Sequence, residues 1–157
     1  MIRPLAAAVA LFATLVACSN PTSPSATPMT KATPPLTAPY TAIRINLGDN
    51  VINAELRDNA PARALMERLP LTLSFSDLNA VEKIARLDAA LPMTGMPDSD
   101  DPEPGDIGWY APSGDLVLYY GDVGRWPGIA RIGRITGDLN AVAGQHDDFT
   151  ATIELAT

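Results

Sequence analysis

Cysteine is nearly absent from this chain of 157 residues, and Cys18 is the single example. No intrachain disulfide can form, and no thiolate pair is available to hold a metal. Histidine is equally scarce, with His146 alone in Gly144-Gln145-His146-Asp147-Asp148. A histidine beside carboxylates can serve as a base or a ligand, but no second histidine and no Gly-x-Ser-x-Gly elbow accompany it. His146 therefore reads as an exposed loop residue, and neither catalytic residues, nor a metal site, nor a cofactor is assigned. Acidic residues are missing from the first 48 positions, since all 18 lie at or after Asp49. From residue 40 onward 9 basic side chains face these 18 acidic ones, a formal charge of 9 − 18 = −9. Such a body repels phosphate backbones and anionic lipid, which excludes nucleic acid as a partner and charge as a means of membrane attachment.

Long hydrophobic runs are also missing. The apolar stretch from Leu5 to Ala17 follows Arg3 and is too short for the roughly 20 residues a spanning helix needs. It ends in Leu15-Val16-Ala17-Cys18-Ser19, the arrangement at which a bacterial lipoprotein is cut and acylated. Residues 1–17 are expected to be a signal peptide removed on export, leaving Cys18 as the lipidation site and the membrane as a partner through its acyl chains. An ordinary secretory signal followed by a coincidental cysteine is the alternative. The protein is then exported and anchored to the cell envelope. Ser19 rather than Asp after the cysteine directs it to the outer membrane, facing the periplasm, if the source is Gram-negative. Residues 18–39 are a tether, with prolines at 21, 24, 28, 34, 35 and 39 and one charge, Lys31. At about 3.1 Å per residue in polyproline II geometry, it would hold the body up to roughly 60 Å from its anchor.

Residues 40–157 form one domain by size. Ile43, Ile45 and Leu47 alternate with polar neighbours, as do Ile52, Ala54 and Leu56, and Gly48-Asp49-Asn50 lies between, so a hairpin is predicted. Asp58 and Asn59 can cap a helix beginning near Pro61, with Ala62, Leu65, Met66 and Leu69 on one face and Pro70 as its stop. Leu71, Leu73 and Phe75 resume the strand period. Val81 to Leu91 fits neither period and reads as irregular or short extended structure. Ile107 to Tyr110 and Leu116 to Tyr120 flank the turn residues Pro112-Ser113-Gly114-Asp115, a second hairpin. Ile129 to Ile135 and Phe149 to Leu155 add two strands. Many short strands with one clear helix predict a mainly β fold, a closed or nearly closed β-barrel.

The order of these pieces resembles the cyclophilin-like domains of a small bacterial family. The matching stretches are Asp58-Asn59-Ala60-Pro61, Leu69-Pro70-Leu71-Thr72, Glu82-Lys83-Ile84, Pro104-Gly105-Asp106-Ile107, Leu118-Tyr119-Tyr120-Gly121 and Arg131-Ile132-Gly133-Arg134-Ile135. The resemblance implies a cyclophilin-type barrel of eight or so strands. True cyclophilins isomerise prolyl bonds with an arginine set in a pocket of Phe, Met, Gln, Trp and His side chains. The Phe-x-x-x-Gln-Gly-Gly-Asp surroundings of that arginine are absent here, so no arginine of this chain inherits its role.

Prolyl isomerisation needs only a donor for the twisted amide and an apolar wall. Arg125 beside Trp126, and Arg131 or Arg134 near the Trp109-Tyr110 strand, are the candidates, against the simpler reading of surface arginines laid over aromatic faces. Trp109, Tyr110, Tyr119, Tyr120 and Trp126 concentrate the aromatics in one quarter of the body. With a period of two, Trp109 and Tyr110 face opposite ways, so one set is expected outside as a peptide-binding surface. The acidic run Asp98, Asp100, Asp101, Glu103 and Asp106 has oxygens enough for calcium, but Pro97, Pro102 and Pro104 break the spacing, and a solvated loop is expected. The function these features favour is a non-catalytic peptide- or protein-binding module of the envelope. A weak peptidyl-prolyl isomerase acting on exported proteins is the alternative.

Overall fold

Alternation of side chains sets the architecture, because each apolar row of a strand needs a common interior. In the computed structural model, which describes residues 40–157, ten strands and two helices follow in order. They are β1 (Thr41–Leu47), β2 (Asn50–Leu56), α1 (Ala60–Met66), β3 (Leu71–Leu78), β4 (Glu82–Arg86), β5 (Ser99–Asp100), β6 (Asp106–Tyr110), β7 (Asp115–Tyr119), β8 (Trp126–Pro127), β9 (Ile129–Ile135), α2 (Asn140–Ala143) and β10 (Phe149–Leu155). Residues 1–39, and with them Cys18 and the tether, lie outside the described residues.

Eight strands close an antiparallel barrel in the order β1-β10-β3-β4-β7-β6-β9-β2, while β5 and β8 pair in a small separate sheet. The entry hairpin holds the predicted register, with Ile43 opposite Ala54 and Ile45 opposite Ile52. Closure comes from the last strand, where Ile45 faces Ile153 on one side and Ala151 faces Leu73 on the other. Inward residues fill the interior, among them Ile45, Leu56, Phe75, Trp109, Leu116 and Ile132. Phe75 and Phe149 stack with centroids 5.3 Å apart. Between β6 and β9 the register slips between Ile107 and Gly108, so that Ile107 pairs with Gly133 and Gly108 with Arg131. The extra residue lets Ile132 and Ile135 both point inward while Arg131 and Ile129 point out.

The helix is shorter than the sequence predicts, ending at Met66 rather than near Leu69. Asn59 caps it by accepting from the Ala62 N–H at 3.1 Å, and Pro61 sits in its first turn. Its end tightens, with Arg68 N donating to Leu65 O and Leu69 N to Met66 O. Pro70 disfavours helical geometry at Leu69, so the last turn unwinds before the proline is reached. The stretch from Val81 resolves to β4, a short extended segment whose inward residues are Lys83 and Ala85.

Candidate functional site

The outward face of β4, β6, β7 and β9 carries a second apolar cluster, separate from the barrel interior. Val117, Tyr119 and Ile129 are buried there, with Ile84, Tyr110 and Val123 packed against them. Outward residues of β4 and β7 stand directly opposite one another in three rungs: Glu82 with Tyr119, Ile84 with Val117, and Arg86 with Asp115. This face is the floor of a groove of about 550 Å³. Tyr110 and Trp126 wall one side, Leu78, Asn79 and Val81 close one end, and Ser113 and Asp115 the other.

Each wall has a local cause. Tyr119 is only 1 % exposed because its ring lies over Gly108, where a Cβ would meet Tyr119 Cε2 at 2.5 Å. Glycine at this position of β6 is what lets the ring lie flat beside the groove. Trp126, 57 % exposed, is held over the face by β8 and donates from Nε1 to the Tyr110 hydroxyl at 3.3 Å. The small sheet that carries Trp126 is itself fastened to the barrel. Asp100 pairs with Trp126 across the two strands, and Arg131 Nε of β9 lies 3.0 Å from Asp100 Oδ1. Arg131 Nη1 also reaches Asp106 at 3.5 Å, and Arg57 approaches the same carboxylate at 3.9 Å.

The groove's charge is acidic. Its ionisable members are Glu82, Asp115 and the two tyrosines, with no lysine or arginine among the lining residues. Asp115 is compensated by Arg86 Nε at 3.0 Å and by the Ser113 hydroxyl. Glu82, half-buried, has no ion-pair partner among the described residues. Burial raises its pKa above the usual carboxylate value, and the nearby Asp115 and Asp77 charges add to the effect. Burial likewise pushes the Tyr119 hydroxyl up, with Glu82 the leading charge against its ionisation. The groove thus combines an apolar floor, aromatic walls and one uncompensated carboxylate, the mix of apolar lining and few polar groups that ligand pockets share.

Of the residues singled out from sequence, Tyr110, Tyr119 and Trp126 come together here. The others do not. Trp109 faces the barrel interior and is fully buried, because it occupies the inward phase of β6. Tyr120 lies past the end of β7, donating to Asp77 and stacking under Lys83 Nζ at 4.9 Å. Arg125 is exposed and donates to the Ser99 carbonyl at 3.3 Å. Arg134 is exposed on β9 opposite Glu55, and Arg131 is engaged with Asp100 and Asp106. The acidic run departs from the expected solvated loop, since Asp106 is 7 % exposed and both it and Asp100 pair with Arg131. No cluster of three metal-ligating side chains occurs among the described residues. His146 is exposed between α2 and β10, as expected.

Glu82, Ile84 and Val117 line the groove although the sequence reading does not single them out. The signal for Val117 was present, since Leu116-Val117-Leu118-Tyr119 is apolar on both faces, the mark of a strand covered on both sides.

The fold and the site define a closed, eight-stranded antiparallel barrel with a groove on its outer face. The chain belongs to the cyclophilin-like family, whose model matches residues 45–154. Among solved structures it is similar to a hypothetical protein of Archaeoglobus fulgidus, at 21 % identity and a TM-score of 0.58, over 74 % of this chain and 95 % of that one. That likeness shows the fold. No curated protein matches the chain.

Proposed function

We propose that this protein is a lipid-anchored binding module of the cell envelope that captures extended peptide segments in the groove on the outer face of its barrel. The observation that supports binding over catalysis is the groove's composition. It offers an apolar floor of Ile84 and Val117, aromatic walls and carboxylates, and none of Arg125, Arg131 and Arg134 lines it. Prolyl isomerisation of the kind true cyclophilins perform uses a guanidinium aimed at the twisted amide, and no arginine lines this space. The open groove matches an extended chain laid along the β4–β7 floor, its side chains alternating between floor and solvent.

The deciding experiment measures two things on the full chain with one proline-containing peptide. Exchange spectroscopy reads the rate of cis/trans interconversion, and amide shifts report where the peptide sits. The binding module predicts shifts in β4 and β7 with no acceleration. Acceleration that is lost on replacing Arg125, Arg131 or Arg134 would establish an isomerase instead. Absence of groove shifts with any extended peptide would overturn the binding role.

A further inference from the structure

Glu82 stands out when the carboxylates around the groove are compared by what neutralises them. Asp115 has Arg86, Asp77 has Lys83, and Asp100 and Asp106 share Arg131. Among the described residues, Glu82 alone lines the groove without a cation, half-buried and opposite Tyr119. An ionised carboxylate held against apolar side chains is costly until a partner charge arrives. The whole described body adds to the pull, with 9 basic against 18 acidic groups.

The floor also sets a spacing. The next outward rung after Glu82 and Tyr119 is Ile84 and Val117, two residues along each strand. Two residues of strand are about 7 Å, the same repeat that separates side chains i and i+2 of an extended peptide. A side chain reaching Glu82 therefore places the side chain two residues away over Ile84 and Val117.

We propose that the groove recognises an extended segment in which a lysine or arginine lies two residues from a large apolar side chain. The cation pairs with Glu82 beside Tyr119, and the apolar group packs on Ile84 and Val117. This assignment rests on the binding role proposed above and names the ligand class for it. Acidic and phosphorylated segments are excluded by the same carboxylates.

The test titrates the isotope-labelled full chain with three blocked peptides, Gly-Ala-Lys-Ser-Leu-Ala-Gly and its forms with norleucine or glutamate in place of lysine. Amide shifts in β4 and β7 report occupancy. The lysine peptide is expected to bind about tenfold more tightly than the norleucine peptide, the effect of one charge-assisted contact in a partly desolvated site. The glutamate peptide is expected to bind more weakly than either. Glu82→Gln keeps the side chain's size and should make the lysine and norleucine affinities equal. Groove shifts of equal affinity for lysine and norleucine peptides, or a lysine preference that survives Glu82→Gln, would overturn the basic-residue assignment and leave the binding role standing. If none of the three peptides moves a groove amide, the assignment falls, and the proline peptide described above then decides the binding role separately.

Discussion

A lysine pointing into a β-barrel survives only when every proton of its ammonium has somewhere to go. Lys83, 1 % exposed, donates to Asp77 and to the Gln145 carbonyl, and the Tyr120 ring lies below it. This ties β3, β4 and the segment before β10 together at one end of the barrel. The Lys83 hydrogen bond, followed by that of Tyr120, lowers the Asp77 pKa from 3.8 to about 2. A depressed carboxylate stabilises the fold above its unfolded pKa, and that contribution disappears as pH falls through the folded value. Urea midpoints measured from pH 4 down to pH 2 should therefore fall more steeply in the native protein than in Asp77→Asn. Tyr120 has the opposite sign. Burial and its hydrogen bond to Asp77 raise its pKa to about 12, so its contribution is full below the usual tyrosine value of 10 and is lost as pH rises toward 12. Tyr120→Phe should flatten that alkaline limb. At Gly108 the issue is space. An added Cβ would sit 2.5 Å from the Tyr119 ring, which itself lines the groove. Gly108→Ala is expected to cost on the order of 1–3 kcal/mol in chemical denaturation and to weaken peptide binding by crowding the floor.

At the scale of elements, α1 and the β5–β8 sheet are the parts whose attachment can be tested singly. Asn59 caps α1 and also donates from Nδ2 to the Arg131 carbonyl at 3.0 Å, joining the helix to β9. A cap alone is worth about 1 kcal/mol, and with the second bond Asn59→Ala should lose roughly 1–2 kcal/mol in equilibrium unfolding. Arg131 fastens the small sheet. Arg131→Ala leaves the part-buried Asp100 without its cation and Asp106 with only the more distant Arg57, a loss of about 1–3 kcal/mol. Hydrogen exchange should quicken in β5 and β8 far more than in the entry hairpin, and the Trp126 indole signal should shift as its strand loosens. The same elements show how far sequence reading reaches. The entry hairpin, the Asn59 cap and the strands β3, β6, β7, β9 and β10 are written in local signals of period two, cap and turn. β4 is not, because its inward position holds Lys83 and its outward position Ile84, which inverts the usual code. β5 and β8 are two-residue strands that exist only through a pairing between distant parts of the chain, so no local pattern marks them. The groove escaped for a related reason. Tyr110, Tyr119 and Trp126 were visible as aromatics, but Trp109 and Tyr120 carried the same weight until barrel closure sorted them by face.

At the scale of the whole molecule, the proposed anchor and the proposed groove answer to separate measurements. The body carries twice as many acidic as basic groups, so its surface charge opposes anionic lipid and cannot hold it there. In the proposed arrangement the acyl chains on Cys18 do this, and several chains together bind far more firmly than one. Attachment by burial of hydrocarbon is insensitive to salt, whereas attachment by charge weakens as salt screens it. Expressed in a host with a lipoprotein pathway, the native protein should stay with the membrane pellet through a high-salt wash and enter detergent. Its mass should exceed that of a chain beginning at residue 18 by that of the acyl groups. Cys18→Ser should leave an uncut precursor or a protein released from the membrane fraction, without the added mass. A native protein recovered soluble with a free thiol would show ordinary secretion and overturn the anchor. The groove would be untouched by that result, since Glu82, Ile84 and Val117 lie in the folded body beyond the tether, and peptide binding by the released protein would still be expected.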